Sequence, residues 1–242
     1  MKAYFGTNVG QIREKNEDDY VLLENERYFL CAVADGMGGY KAGEIASEIV
    51  VTTIGKHFMD YTDGIASDVK IPMMISESIK LANKLVLKES SLNEEFSGMG
   101  STITLAVIDK KDKVAYVGNV GDSRTYLIRG NIIKQITDDH SFVRELVKKG
   151  ELTAVEAETY DKKNIITRAL GSEENVREDI FEIDLHANDR LLLCSDGLTN
   201  NVDENCILRE IEESSKNSIK NLIDIANQNG GTDNITLIVV DC

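Results

Sequence analysis

The spacing of apolar residues along the chain changes from strand-like to helix-like and back. An aromatic and β-branched run at 27–34 predicts a buried strand. Apolar residues then recur every four positions from Ala42 to Phe58, and a similar set runs from Ile75 to Val86, which predicts two amphipathic helices. Strand-like runs also stand at the N-terminus and at 102–108, 114–120, 124–128, 132–136, 179–183, 190–194 and 235–240.

The order of these elements predicts the fold class. Two more helices precede the last strand, and the second of them carries Ile219, Leu222 and Ala226 at helical spacing. Several central strands follow one another without a helix, which argues against a doubly wound parallel sheet. We therefore expect an α+β fold in which helix pairs cover antiparallel sheets. No linker, low-complexity tract or repeat divides the sequence, so we expect one domain at 1–242.

Between about 140 and 170 the apolar pattern weakens. Short helical pieces are the most that this segment supports, and no long strand or helix is predicted there. Thr153 and Glu156 have the spacing of a capping box, in which each side chain accepts a hydrogen bond from the backbone amide of the other residue at the start of a helix.

Four aspartates hold the same position relative to the predicted strands. Asp35, Asp122 and Asp196 each follow a strand-like run, and Asp233 directly precedes the last one. A single Asp at such a place is most often an ordinary turn residue. Four of them, with no other ligand type, favour a site for hard divalent cations, magnesium or manganese rather than zinc. The turn expected at 35–39 also offers the bare carbonyl of Gly36 as a ligand.

A polar segment near the N-terminus contains Arg13, Glu17 and Asp18. The planar guanidinium of Arg13 is suited to binding a phosphate group. Taken alone, however, this mixture of charges is equally typical of a solvated surface, so the segment by itself identifies no site.

Net charge and cysteine usage exclude several classes of protein. The formal net charge of −15 over 242 residues argues against binding to nucleic acid, because like charges repel its phosphate backbone. No run approaches the roughly 18 uncharged apolar residues that cross a bilayer, and no signal peptide is visible. We expect a cytoplasmic protein without membrane contacts. The four cysteines form no C-x-x-C pair and no thiolate phosphatase motif, so we expect buried structural thiols.

Seven short motifs follow one another along essentially the whole chain. They are Arg13-x-x-Asn16-Glu17-Asp18, Ala34-Asp35-Gly36-Met37-Gly38-Gly39, Gly100-Ser101-Thr102, Val120-Gly121-Asp122-Ser123-Arg124, Thr167-Arg168-Ala169-Leu170-Gly171, Cys194-Ser195-Asp196-Gly197-Leu198 and Gly230-Gly231-Thr232-Asp233-Asn234-Ile235-Thr236. In this order they resemble the PPM family, the metal-dependent (type 2C) protein serine/threonine phosphatases, and specifically its compact bacterial members. Each motif alone is weak, but the ordered set is highly specific.

The resemblance implies a four-layer αββα sandwich of two antiparallel sheets flanked by helix pairs, with a binuclear metal centre at one edge. Two Mn²⁺ or Mg²⁺ ions are expected, with a third, weaker site. Asp35 would bridge both ions, Asp196 and Asp233 would hold the first, and the Gly36 carbonyl the second. A variable flap is expected at about 145–170.

The resemblance also implies roles for the remaining candidate residues. Glu17 would lie near the second ion, and Asp18 would hydrogen-bond water on the metals. Asp122, together with Asp196, would form the third site, and Arg13 would hold the substrate phosphate. Catalysis would then fall to Arg13, Asp18 and Asp35.

The implied function is metal-dependent hydrolysis of phosphoserine and phosphothreonine in proteins, by direct attack of a metal-bridging water. The expected partners are phosphoprotein substrates, including a cognate serine/threonine kinase and its targets, and we expect a monomer. Two alternatives remain open: a specialised stress-signalling phosphatase with one protein substrate, and a catalytically silent binding module on the same fold. A nucleotide site in the glycine-rich loop at 36–41 is rejected, because the loop lacks the last glycine of G-x-G-x-x-G.

One position departs from the family pattern. Many eukaryotic relatives have a histidine after the Asp-Gly pair, and that position here is Met37, which cannot donate a proton. His140 is the candidate that the motifs offer for a general acid, although a structural or solvent-facing histidine is the more common reading. We expect water on the metal to serve as the acid.

Overall fold

The computed structural model describes residues 1–38, 42–62, 70–153, 156–157, 160, 162 and 165–242. Its strands are β1 Lys2–Asn8, β2 Asp18–Glu24, β3 Tyr28–Met37, β4 Gly100–Ser101, β5 Ile103–Asp109, β6 Val114–Val120, β7 Arg124–Arg129, β8 Ile132–Gln135, β9 Asp179–Asp184, β10 Arg190–Cys194 and β11 Ile235–Asp241. Its helices are α1 Ala42–Thr62, α2 Ile71–Leu92, α3 Phe142–Lys148, α4 Asp196–Thr199, α5 Glu204–Glu213 and α6 Ser215–Gln228.

The strands form two antiparallel sheets. One sheet has the order β1-β11-β10-β7-β8, and the other has the order β2-β3-β5-β6-β9, with the short β4 paired to β3. Every strand pair in the described residues is antiparallel. The expectation of antiparallel sheets is confirmed.

Three apolar layers separate four layers of secondary structure. The first layer lies between the α1–α2 pair and the β2–β9 sheet, the second lies between the two sheets, and the third lies between the β1–β8 sheet and the α5–α6 pair. The predicted αββα sandwich is therefore confirmed. Because both faces of each sheet are buried, the central strands carry apolar residues on consecutive positions instead of alternating with polar ones.

β3 shows how one strand supplies two layers. Leu30 and Ala32 face the α1–α2 pair, whereas Cys31 and Val33 face the other sheet, as the two-residue period of a strand requires. All four side chains are fully buried. The sequence run at 27–34 was expected to be such a strand, and this prediction is confirmed.

The end of β3 corrects one expectation. The residues Asp35-Gly36-Met37 were expected to form a turn, but β3 continues through them to Met37. Gly36 pairs with Ser101 and Met37 with Gly100, so the short strand β4 keeps this segment extended. Tertiary pairing has overridden the local preference of glycine for turns.

The segment at 140–170 contains less regular structure, as expected. Its main helix, α3, begins at the N-cap Ser141, whose side chain accepts a hydrogen bond from the Arg144 amide. The predicted capping box is also confirmed: Glu156 Oε2 accepts from the Thr153 amide at 2.8 Å, and the Glu156 amide donates to Thr153 Oγ1 at 3.3 Å. Within the flap predicted at 145–170, residues 154–155, 158–159, 161 and 163–164 lie outside the described residues.

None of the helices in the described part of the chain is long and apolar enough to cross a membrane. The longest, α1 and α2, instead bury one face against the sheet and leave the other in solvent.

Helix α2 offers a test of the packing. Ile79 is fully buried against the sheet, whereas Leu81 on the same helix is 41% exposed. We predict that Ile79→Ala lowers the free energy of unfolding by about 2–5 kcal/mol, since it leaves a cavity. Leu81→Ala should change it by less than about 0.5 kcal/mol. Urea titrations followed by circular dichroism measure both, and equal losses would contradict the assigned packing.

Candidate metal centre

The carboxylates that the sequence singled out lie at the same end of the two packed sheets. Asp196 follows β10 and Asp233 precedes β11, and these two strands are neighbours in one sheet. Asp35 lies in β3 and Asp122 follows β6, both in the other sheet. Electrostatic repulsion links Asp35 to each of the others, Asp18, Asp122, Asp196 and Asp233. The structure thus brings together side chains from five separate segments of the chain.

Asp35 and Asp18 are held on paired strands. Asp18, the first residue of β2, lies directly opposite Asp35 in the antiparallel register. The backbone of Asp35 is fixed by Thr102, whose hydroxyl accepts from the Asp35 amide at 3.1 Å and whose amide donates to the Asp35 carbonyl at 2.8 Å. Asp18 Oδ2 accepts from Ser195 Oγ at 2.8 Å, which ties it to the other sheet. Both carboxylates are therefore set on rigid backbone.

Gly36 is required by the close approach of helix α1. A Cβ atom at this position would lie 2.1 Å from the Gly43 carbonyl oxygen, so no larger residue fits. The Gly36 amide donates to the Glu17 carbonyl at 3.1 Å. At Gly43, in turn, a Cβ atom would lie 2.7 Å from the Glu17 carboxylate carbon. The Glu17 side chain therefore packs against the first turn of α1, beside Gly36.

Arg13 and Asp233 form an ion pair across the site. Arg13 Nη2 lies 2.8 Å from Asp233 Oδ2, and the two side chains are 51% and 31% exposed. The other Asp233 oxygen accepts from the Asn234 amide at 2.9 Å. Arg13, the candidate phosphate-binding residue, thus lies beside a candidate metal ligand and is open to solvent.

Asn234 has a role that the sequence did not reveal. Its side-chain amide donates to the carbonyls of Val9 and Lys15 at 2.9 and 2.8 Å, and its Oδ1 accepts from the Glu17 amide at 2.8 Å. These three bonds fasten the N-terminal polar segment to the start of β11. Asn234 and Ser195 each stand next to a candidate aspartate in the motifs, and this adjacency is the signal that could have identified them.

Four of the clustered carboxyl groups have raised pKa values. Burial raises the pKa of Asp18 to about 7, and burial with repulsion from Asp196 raises the pKa of Asp122 to about 8. Burial, followed by repulsion from Asp18, raises the pKa of Asp35 well above its ordinary value, and burial with repulsion from Asp233 raises that of Asp196. Each negative charge here makes its neighbours harder to ionise.

The donor set fits divalent cations. One carboxylate oxygen each of Asp18, Asp122 and Asp196 is buried without a hydrogen-bond partner among the described residues. Such orphaned oxygens are costly unless a cation or water meets them. No three His, Cys, Asp or Glu side chains in the described ranges are close enough to enclose an ion by themselves. Ions here would therefore take further oxygen ligands from backbone carbonyls and water, as Mg²⁺ and Mn²⁺ commonly do.

His140 is a buried structural histidine. Its Nδ1 accepts from the Gly121 amide at 3.1 Å, and its Nε2 lies 3.2 Å from Asp179 Oδ2 and 3.1 Å from Arg168 Nη1. Because the Gly121 amide occupies Nδ1, the ring proton sits on Nε2 and is donated to Asp179. Burial lowers the His140 pKa, which favours this neutral form. The structural interpretation of this histidine, rather than the solvent-facing one, is the one that its contacts support.

Gly39, the last residue of the second motif, lies outside the described residues, as do positions 40–41 of the glycine-rich loop.

The prediction that the cysteines are buried holds for Cys31 and Cys194 but is wrong for Cys206 and Cys242, which are partly exposed. All four thiols are free.

Known proteins resemble the chain over its whole length. Residues 6–236 match the family model described as "Protein phosphatase 2C". The serine/threonine phosphatase stp of Listeria welshimeri is 39% identical over 248 aligned residues, which cover 100% of this chain and 96% of that protein.

Solved structures resemble the fold just described. The crystal structure of the serine/threonine phosphatase Stp1 from Staphylococcus aureus superposes with a TM-score of 0.92 at 36% identity, covering 100% of this chain and 94% of that one. The catalytic domain of the serine/threonine protein phosphatase PstP, in complex with two manganese ions, gives a TM-score of 0.85 at 32% identity, with 99% and 97% coverage. The chain belongs to the protein phosphatase 2C family.

Proposed function

We propose that the chain hydrolyses phosphoserine and phosphothreonine in proteins with two Mn²⁺ or Mg²⁺ ions held at the carboxylate end of the sandwich. One observation carries this proposal. Five carboxylates from separate segments meet at one end of the sandwich; four have raised pKa values and three have a buried oxygen without a hydrogen-bond partner among the described residues, an arrangement that bound cations would stabilise. The serine/threonine phosphatases among its relatives, and the two manganese ions of the PstP structure, support the same function.

The proposed ligands follow from the position of each side chain. Asp35 experiences repulsion from candidate ligands of both sheets, Asp122 and Asp196 among them, and is proposed to hold both ions. Asp196 and Asp233 are proposed for the first ion, and the Gly36 carbonyl for the second, with Glu17 beside it against α1. A third ion is proposed between Asp122 and Asp196, because repulsion from the Asp196 carboxylate helps to raise the pKa of Asp122.

When bound, the divalent ions would lower the pKa of a shared water and offset charge on the phosphoryl oxygens. The protein's own residues supply the positioning. Asp18, fixed by Ser195, can orient a water through its free oxygen Oδ1. Arg13 can exchange Asp233 for the substrate phosphate, because its guanidinium is about half exposed at the same place. In the net reaction water adds to phosphorus, the ester P–O bond breaks, and a proton passes to the serine or threonine oxygen.

The wider biological setting is part of this proposal. Shared packing between the two sheets supports a single catalytic domain at 1–242. We propose a cytoplasmic monomer whose partners include a serine/threonine kinase and that kinase's targets, without nucleic acid or membrane among them. A specialised stress-signalling phosphatase would act on one protein only, and activity on several unrelated phosphopeptides would exclude it. A silent binding module normally lacks carboxylates that this chain retains.

The function is tested by the hydrolysis of a phosphothreonine peptide. We expect turnover with Mn²⁺ or Mg²⁺, none after EDTA, and recovery when the metal returns. Asp35→Asn should reduce turnover below detection, since it weakens the hold on both ions. The same variant should raise the melting temperature of the metal-free protein near neutral pH, because it removes a carboxyl group whose ionisation is opposed by burial and by the neighbouring carboxylates.

Asp60→Asn is the matched control for this variant. Asp60 is exposed on α1, so its substitution should change neither activity nor melting temperature measurably. Near-native turnover in Asp35→Asn would contradict the proposed role of Asp35. A folded wild-type protein without turnover in either metal would favour the binding module.

The raised pKa values also predict how stability depends on pH. The unfolded carboxyl groups titrate near 3.9, whereas Asp18 and Asp122 titrate at about 7 and about 8 in the folded protein. Between these values the folded state binds more protons than the unfolded state, so the free energy of unfolding falls as pH rises. In EDTA, urea titrations should give a more stable protein at pH 5 than at pH 8. Saturating Mn²⁺ should largely remove that difference, and a flat profile in EDTA would contradict the pKa assignments.

A further inference from the structure

Two hydrogen bonds join His140 to Gly121, the residue that precedes Asp122. The His140 amide donates to the Gly121 carbonyl at 3.0 Å, and the Gly121 amide donates to Nδ1 of the His140 ring at 3.1 Å. His140 is only 3% exposed, so both bonds are shielded from solvent. The amide and the carbonyl of Gly121 are thus both bonded to one residue, 19 positions further along the chain.

The backbone of Gly121 also packs closely against the residue that holds Asp35. Its φ of +111° lies in the region that favours glycine. A Cβ atom at this position would lie 2.6 Å from the Cβ of Thr102, whose hydroxyl and amide fix the Asp35 backbone. A shift of Gly121 would therefore move Asp122 relative to Asp35.

The Asp122 carboxylate depends on its chain neighbours for its position. Its Oδ1 is buried without a hydrogen-bond partner among the described residues, so no bond to this oxygen holds the side chain in place. On the far side of Asp122, Ser123 Oγ lies 2.8 Å from Thr102 Oγ1. The residue before Asp122 is thus held through the His140 ring, and the residue after it is held through Thr102.

Asp179 fixes the orientation and the tautomer of the His140 ring. Its Oδ2 accepts from Nε2 at 3.2 Å, and its Oδ1 lies 3.2 Å from Arg168 Nη1. With the proton held on Nε2, Nδ1 is free to accept from the Gly121 amide. With the proton on Nδ1 instead, two N–H groups would face each other. Carboxylates commonly set the tautomer of a functional histidine in this way.

We propose that His140 is a positioning residue for Asp122: its ring holds Gly121, and through it the Asp122 carboxylate, where the third ion binds. This role rests on the proposed function, because it concerns one of its three ions. Without the ring acceptor, the Gly121 amide loses its bond and Asp122 is free to turn away from Asp196. The affinity for the third ion then falls. The first two ions stay bound, because other segments hold their ligands.

Two substitutions separate the contacts of the ring. His140→Asn places an amide oxygen where Nδ1 stands, so it can still accept from Gly121 but loses the contact with Asp179. His140→Gln reaches the position of Nε2, so it can still donate to Asp179 but loses the bond to Gly121. A positioning role therefore predicts that the two variants differ in metal binding. A merely structural role predicts that affinity for every ion falls in step with stability.

The test titrates Mn²⁺ into each metal-free protein by isothermal calorimetry, with melting temperatures measured alongside. His140→Gln should weaken the third ion by about ten-fold or more, the effect of losing a residue that orients a metal ligand. His140→Asn should keep that affinity within about three-fold, since it retains the acceptor. Both variants should bind the first two ions as the wild-type protein does. His57→Gln is the matched control, because it makes the same change at a partly buried histidine of α1, and it should bind all three ions normally.

Nitrogen NMR of the His140 ring gives a readout that is independent of these substitutions. In the wild-type protein Nδ1 should resonate as an unprotonated nitrogen. Asp179→Asn, whose side chain can also donate, should mix the two tautomers and weaken the third ion alone.

Equal third-ion affinity in His140→Asn and His140→Gln, or a protonated Nδ1 in the wild-type protein, would overturn the positioning role. A wild-type protein that hydrolyses the phosphothreonine peptide with two ions and takes up no third would overturn this role and leave the proposed function standing. A wild-type protein that binds no Mn²⁺ and shows no turnover would overturn both.

Discussion

Mutual repulsion among closely placed carboxylates, buried or half-buried, is the constraint on which the rest of this structure depends. A buried carboxylate is costly unless it is protonated, paired or bound to a cation. At one end of the sandwich, Asp35 lies within the electrostatic reach of Asp18, Asp122, Asp196 and Asp233. Left to themselves these groups would separate or take up protons, so the surrounding structure must hold them together. Stability is lower here than it would be with neutral residues, as is common at functional sites.

Strand pairing and hydrogen bonds between the sheets keep these carboxylates close together. Asp35 is set in the middle of a sheet by pairing with β2 on one side and with β4 and Thr102 on the other. Ser195, from the opposite sheet, donates to Asp18. Asn234 fastens the N-terminal polar segment by three hydrogen bonds. Because these bonds are anchored in the apolar layers, small local movements cannot relieve the repulsion.

Much of the fold could be predicted because each sheet face packs against apolar neighbours. The central strands and the two long helices left clear apolar patterns, and the predicted strands differ from the observed ones by one or two residues at most ends. The extension of β3 through Gly36 could not be predicted, since it depends on pairing with β4, a two-residue strand from a distant part of the chain. β2 gave little signal, because it opens with Asp18 and Asp19 and is only partly buried.

For a similar reason, the sequence predicted some residues of the candidate site and missed others. The aspartates were visible because they adjoin strands or continue them, and strand ends can be located from the sequence. The partners that orient them, such as Ser195 and Asn234, act through contacts between residues far apart in sequence. The ion pair of Arg13 with Asp233 also joins positions 220 residues apart. Local patterns carry no information about such distant pairs.

Proton release on metal binding tests most directly whether cations resolve the repulsion. Mn²⁺ is titrated into the metal-free protein at pH 7 by isothermal calorimetry, in buffers that differ in their enthalpy of ionisation. Since Asp18 and Asp122 titrate at about 7 and about 8, part of the population carries protons that an arriving ion must displace. The account predicts binding of at least two ions with net release of protons to the buffer. Binding that releases no protons, or no binding at all, would contradict it.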